Sequence, residues 1–164
     1  NAAAALAVCR ALGAEPSAGA RVQVALSALR GQERPIPGGG TLIEDCYNAN
    51  PPAMSAALAD LAGRPGRRVA VLADMMELGP GELELHRQVG AAAADAGIDM
   101  LVAVGERAAA YAEGADGLET VLLGTVEEAV EAVPGLLRPG DTVLLKGSRS
   151  MRLERVGAAI APGD

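Results

Sequence analysis

Residues 69–104 read VAVLADMMELGPGELELHRQVGAAAADAGIDMLVAV. An apolar run, Val69–Leu72, gives way to a polar turn, an Ala-rich helical stretch near 81–96, and a second apolar run, Met100–Val104. Neither run alternates with polar residues, which is the pattern of parallel strands covered on both faces. The same rhythm extends outward. Apolar runs recur at Thr41–Ile43, Thr120–Leu123 and Thr142–Leu145, with helical stretches near 52–62, 106–113, 125–133 and 149–161. Five strands with intervening helices predict an α/β domain with a doubly wound, Rossmann-like and mostly parallel sheet, from about residue 35 to the end.

Upstream the pattern is different. Gly31–Gly40 crowds Pro and Gly together and reads as a boundary or a hairpin. Ala2–Leu12 is an Ala-rich helical stretch closed by Gly13. Ser17 is a plausible N-cap for a second helix from Ala18 to about Leu29, although Val22, Val24 and Leu26 also alternate like a strand. With no initiator Met before Asn1, the chain reads as the inside of a longer protein.

Composition bounds the function. The 164 residues carry 14 basic and 21 acidic side chains, a net charge of −7, with two Tyr and neither Phe nor Trp. Nucleic-acid binding wants a basic face and stacking platforms, and this chain offers neither. No apolar run approaches the roughly 20 residues of a membrane span. Cys9 and Cys46 make no metal-ligand spacing and no disulfide framework, so a cytoplasmic protein is expected.

In an open α/β sheet, ligands bind beyond the carboxyl ends of the strands. Two of the five strand-to-helix turns are plain, at Gly105-Glu106 and Gly124-Thr125, and three are chemically loaded. The first loaded turn holds Asp45, Tyr47, Asn48 and Asn50 ahead of Pro51, and the second holds Asp74 and Glu77. Asp45 suits ribose hydroxyls or a cation-bound water, and the two Asn amides suit a polar substrate; Asn and Pro are also ordinary turn formers. The third is Lys146-Gly147-Ser148-Arg149-Ser150, where Lys146 is the only lysine among the 14 basic residues. A compact ammonium acts as a point charge on phosphate or carboxylate in a way that a guanidinium does not. Gly147 permits close backbone approach, and Ser148 or Ser150 can cap the next helix, whose free N–H groups would complete an anion-binding corner. The competing reading is a surface lysine beside a capped helix. His86, the only histidine, lies between Leu83 and Val89 at helical spacing and reads as a half-buried packing residue. No phosphate-cradling G-x-x-x-x-G-K-[ST] loop, G-x-G-x-x-G turn or Ser-His-Asp set is present, so the chain reads as half of an active site.

The three loaded turns also carry a resemblance. D-C-Y-N-A-N-P-P-A-M at 45–54, V-L-A-D-M-M-E-L-G at 71–79 with His86, and L-L-K-G-S-R-S-M-R-L-E-R-V at 144–156 resemble the MurF branch of the Mur ligases of bacterial wall synthesis. The opening N-A-A-A-A-L-A is similar to the end of a segment in that family's central ATPase domain. The resemblance implies that residues 1–30 are the tail of a central ATP-binding domain and 31–164 a C-terminal Rossmann-like ligase domain. It implies a cytoplasmic bacterial enzyme of peptidoglycan precursor synthesis, using ATP and Mg²⁺ bound mainly by the central domain. The substrates implied are UDP-N-acetylmuramoyl-tripeptide and D-alanyl-D-alanine, and the further partner is the remainder of the same polypeptide. The fragment alone would be inactive, since it carries no P-loop.

By the same resemblance, Asn1 would contact adenine, Arg30 the ATP phosphates and Asp45 the nucleotide ribose. Tyr47, Asn48 and Asn50 would line the dipeptide side with Lys146, Gly147, Ser148, Arg149 and Ser150, and Lys146 would be catalytic. No metal ligand is implied in this chain. Glu44, Cys46 and Ala73 depart from the Asp, Ser and Gly usual in the family, and Ala73 restricts the backbone where Gly would be free. Two alternatives stand beside this reading: a non-catalytic module of the same fold that binds a small anion or a partner protein, and a neighbouring ligase accepting a diamino acid, which Y-N-A-N-P and K-G-S-R-S fit poorly.

Overall fold

The computed structural model describes residues 2–14 and 29–161, and the side chains from residue 7 onward within them. Asn1 and the helix expected from Ala18 therefore lie outside the described residues. Helix α1 (Ala2–Ala11) is followed by strands β1 (Gln32–Ile36) and β2 (Gly40–Asp45), helix α2 (Pro51–Ala62), β3 (Arg68–Ala73) and α3 (Glu82–Asp95). Then come β4 (Met100–Val104), α4 (Ala108–Gly114), β5 (Thr120–Leu123), α5 (Val126–Leu136), β6 (Thr142–Lys146) and α6 (Glu154–Ile160). The six strands form one sheet in the order β1-β2-β6-β3-β4-β5. All neighbours are parallel except β1 and β2.

The side-chain alternation of each strand feeds two cores. Val69, Val71, Ala73, Val143 and Leu145 face α5 and α6, through Val133 and Val156. Ala70, Leu72, Leu101, Ala103 and Leu144 face α2, α3 and α4, through Leu58, Val89 and Tyr111. Both faces of β3, β4 and β6 are thus buried, which is why their sequences carry no polar alternation. The helices pack close because two glycines permit it. A Cβ on Gly90 of α3 would sit 2.0 Å from the Tyr111 carbonyl, and one on Gly114 of α4 would sit 1.9 Å from that of Arg87.

The arrangement defines a switch in the chain path. Helices α2 and α3, which follow β2 and β3, cover one face, while α6, which follows β6, covers the other. Since β6 lies between β2 and β3, the chain leaves it in the direction opposite to both neighbours. That reversal is the topological switch point, where such sheets bind ligands.

Three details depart from the sequence expectations. The Pro- and Gly-rich segment is a hairpin whose first arm is a sixth, antiparallel edge strand. It turns on Gly38 and Gly39, at φ +86° and +87°. Arg34 of β1 holds it down, forking onto buried Glu44 at 2.9 and 3.2 Å and donating to the Ala161 carbonyl at 2.7 Å. Helix α5 runs past Pro134 to Leu136, because a proline in the last turn forfeits only one helical hydrogen bond. The single helix expected over 149–161 is divided: a 3-10 turn at Arg149–Met151 ends at Arg152, which stands in the left-handed region at φ +53°, and α6 starts only at Glu154.

Candidate functional site

Asp45 and Lys146 are the last residues of β2 and β6, and they are partners in the parallel register. The Lys146 ammonium lies 2.5 Å from Asp45 Oδ2, 3.4 Å from the Asp45 carbonyl and 3.3 Å from that of Asn48. Its three protons match three acceptors. The residue is 2% exposed. Lys146 is therefore not a surface lysine: its position at the end of a doubly covered strand buries it, and it clamps the β2–α2 turn onto β6. Asp45 is held by that contact while its side chain remains 29% exposed.

The turn so clamped spends much of its own polarity internally. Asn48 Oδ1 accepts from the Ala49 N–H at 2.9 Å. Asn50 is the N-cap of α2, its Oδ1 accepting from Ala53 N–H at 2.9 Å. Pro51 and Pro52 bring no N–H to the first turn, so the start of α2 offers little to an anion. The β6 turn behaves likewise. Neither Ser148 nor Ser150 caps α6, whose start at Glu154 has no side-chain cap and stands well beyond Lys146 in the chain. The expected helix N-terminus beside Lys146 is absent from the described residues, because the left-handed Arg152 separates the turn from the helix.

Ser148 instead ties β6 to β3. Its N–H donates to the Asp74 carbonyl at 3.1 Å, and its Oγ accepts from the Met76 N–H at 2.8 Å. A Cβ on Gly147 would lie 2.7 Å from the Cβ of Ala73. The close approach foreseen at Gly147 is thus to the neighbouring strand. Asp74, buried at the end of β3, accepts from the Glu106 and Arg107 N–H groups at 3.1 Å each and from the Arg107 guanidinium at 3.3 Å. A Cβ on Gly105 would lie 2.6 Å from that carboxylate, so the plain β4 turn is plain because Asp74 occupies the space.

With Lys146, Asp74 and Ser148 engaged, two guanidiniums remain exposed at the rim beside the partly exposed Asp45 carboxylate. The Arg30 guanidinium lies over the Tyr47 ring, 4.2 Å from its centroid. Leu29 brings it there, its carbonyl accepting from the Tyr47 N–H at 3.1 Å. Tyr47 is 45% exposed. Arg149, its side chain 53% exposed, donates to Glu154 Oε1 at 2.6 Å, and that bond raises the guanidinium pKa further. The other oxygen of Glu154 is buried without a hydrogen-bond partner among the described residues. Cys46 is wholly buried beneath this corner; burial, then Glu154 and Glu44, pushes its thiol up to about 12. It is packing, not a nucleophile.

Sequence reasoning located the turns and missed their internal ties. It assigned Asp74 no definite role, and it did not foresee His86 as fully buried and hydrogen-bonded. One signal was present: a lone lysine ending an apolar run, level with an aspartate ending another, is the pattern of a cross-strand pair.

The family described as Mur ligase, glutamate ligase domain, matches residues 20–149. The UDP-N-acetylmuramoyl-tripeptide–D-alanyl-D-alanine ligase of Escherichia coli K12 is 38% identical over 125 residues, which cover 73% of this chain and 26% of that protein. The Mycobacterium leprae ligase of the same name is 36% identical over 147 residues, covering 77% of this chain and 28% of its own length. This chain therefore spans about a quarter of the length of these curated relatives. Among solved structures, MurF from Acinetobacter baumannii superposes with a TM-score of 0.81 at 30% identity, covering 96% of this chain and 35% of that one. MurF from Thermotoga maritima in complex with ADP gives a TM-score of 0.79 at 27% identity, covering 96% of this chain and 36% of its own. The chain belongs to the Mur ligase family, and its relatives there are the ligases named MurF.

Proposed function

We propose that this chain is the acceptor half of an ATP-dependent ligase that joins D-alanyl-D-alanine to UDP-N-acetylmuramoyl-tripeptide in the bacterial cytoplasm. Residues 1–30 are then the tail of a central ATP-binding domain and 31–164 the C-terminal ligase domain. The observation that carries this reading is the switch-point rim, where Arg30 lies over exposed Tyr47 on the β2 turn and exposed Arg149 stands on the neighbouring β6 turn, with these turns anchored by Lys146, Ser148 and Asp74. Among the described residues, no helix is long and apolar enough to cross a membrane.

In this reading the tripeptide carboxylate is activated as an acyl phosphate and the dipeptide amine attacks it. The tetrahedral adduct collapses to the amide with loss of phosphate. The dipeptide is a zwitterion, and its carboxylate needs a cation on the rim: Arg149 supplies it, and Ser150 and the Asn48 and Asn50 amides offer further polar contacts. Tyr47 forms the wall between this side and the nucleotide side, where Arg30 meets phosphate and the held carboxylate of Asp45 meets ribose hydroxyls. By the family resemblance, Asn1 is assigned to adenine. Lys146 and Gly147 act by setting the turn geometry, so Lys146 is a positioning residue. Orienting amine and acyl phosphate removes a large part of the barrier, and closing the rim against the central domain keeps water from the acyl phosphate.

Mg²⁺ neutralises phosphate charge in such reactions. By the family resemblance, its ligands are assigned to the central domain of the longer polypeptide. The test is substrate dependence. The ligase containing this chain releases phosphate from ATP only with both the UDP-linked tripeptide and the dipeptide present, and the 164-residue chain alone makes no amide. Amide formation by the isolated chain refutes the division of labour, and phosphate release indifferent to the dipeptide favours a binding module instead.

A further inference from the structure

The four residues Ala73–Met76, which lead from β3 into the rim, are tied at every step. Tyr111 Oη donates to the Ala73 carbonyl at 3.0 Å, and the Asp74 carbonyl accepts from Ser148 N–H. The Met75 N–H donates to His86 Nε2 at 3.0 Å, and the Met76 N–H donates to Ser148 Oγ. His86 Nδ1 lies 2.6 Å from the Glu82 carbonyl. Because Met75 supplies a proton to Nε2, that nitrogen carries the lone pair, and Nδ1–H donates to Glu82. Both ring nitrogens are therefore used, in one neutral tautomer. The ring is 0% exposed and meets Tyr111 edge-on, with centroids 4.8 Å apart at 71°. It has no access to substrate and no free nitrogen, so it is not an acid or base of the reaction. A merely apolar filler would occupy the same space and leave the buried Met75 N–H without an acceptor.

We propose that His86 is a positioning residue for the acceptor site. It fixes Met75, the next N–H fixes Ser148, and Ser148 fixes the turn between Lys146 and Arg149. The arginine that faces the dipeptide is thereby registered against a histidine on the far side of β3. This inference rests on the ligase reading for its functional consequence, but its structural part does not.

Amide hydrogen exchange on the isotope-labelled chain tests the structural part. His86→Leu speeds exchange at Met76 and Ser148 about tenfold or more, the scale set by removing the acceptor of a buried N–H. His86→Gln, which keeps an acceptor near the Nε2 position, restores slow exchange. Should His86→Leu not fold, His86→Asn keeps a donor near the Glu82 carbonyl and loses only the Nε2 acceptor. Kinetics of the ligase containing this chain test the rest: the dipeptide KM rises about tenfold in His86→Leu and recovers in His86→Gln, while the ATP KM stays put. Unchanged exchange at Met76 and Ser148 overturns the relay. Altered exchange with an unchanged dipeptide KM, in an enzyme whose Arg149→Ala variant does raise that KM, overturns the positioning role. If neither His86→Leu nor Arg149→Ala moves the dipeptide KM, Arg149 does not face the dipeptide and this role falls with it, whereas a parent enzyme that does not turn over the dipeptide refutes the ligase reading itself.

Discussion

Replacing Lys146 with Met tests whether the lysine is a clamp or a free charge. Met keeps most of the apolar stem and removes the ammonium, leaving Asp45 Oδ2 and the carbonyls of Asp45 and Asn48 without their shared donor. Breaking a fully buried ion pair costs about 3–5 kcal/mol. Here the lysine side chain is 3% exposed but that of Asp45 is 29%, so the carboxylate regains water and the cost falls to about 2 kcal/mol. For a domain of this size that lowers Tm by about 5–10 °C. Thermal unfolding of the chain followed by circular dichroism reads it directly. Asp45→Asn in the same background removes the orphaned charge, so the double variant loses less than the sum of the singles, by about 1–2 kcal/mol. Lys146→Arg does not rescue, because a planar fork cannot replace a point donor in a space that is 2% exposed. A Tm within about 1 °C of the parent, or strictly additive single effects, would show that the ammonium is not committed to these acceptors.

Three further outcomes are expected. Gly147→Ala brings a Cβ to 2.7 Å from that of Ala73 and costs about 1–3 kcal/mol, and Ala73→Gly recovers most of it; denaturant unfolding of the two singles and the double measures this. Asp74→Asn turns an amide N–H toward one of the two donors at Glu106 and Arg107 and lowers stability by about 1–3 kcal/mol, read by the same unfolding curves. Cys46 gives a pH signature: its folded thiol is raised from an ordinary value of 9.0 to about 12, so the unfolded chain loses its proton first. Stability therefore falls as pH rises from about 9 toward 12, and Cys46→Ala flattens that slope in urea titrations across the range.

The sheet was legible because its strands are buried on both faces. The run Val69–Leu72 carries its meaning without neighbours, and so does Met100–Val104. The edge strand Gln32–Ile36 was not, because an edge arm with Pro35 and charged side chains reads as a loop until its partner is known. The division before α6 was hidden for a related reason. Nothing local forbids a helix over Arg149–Ile160, and only the structure shows Ser148 tied to β3 and Arg152 in the left-handed region. At the site, residue types pointed to the right three turns but not to their states. Whether a lysine is a free charge depends on what lies beside it, and the acceptors that engage Lys146 are about a hundred positions away in sequence. Asp74 and His86 had the same difficulty, since apart from the Arg107 guanidinium on Asp74 their hydrogen-bond partners are backbone groups that carry no sequence signature. Conversely, Arg149 stood out less than Lys146 in composition and is the more accessible cation.

The claim that organises all of this is that Arg149 meets the acceptor dipeptide while Lys146, Ser148 and His86 hold the turn that presents it. Steady-state kinetics of Arg149→Ala in the ligase containing this chain test it most directly. The expected KM for D-alanyl-D-alanine rises about tenfold or more, as for the loss of a charge-assisted contact, with the ATP KM unchanged and a Tm lowered only by the loss of the exposed pair to Glu154. A dipeptide KM equal to that of the parent would contradict it.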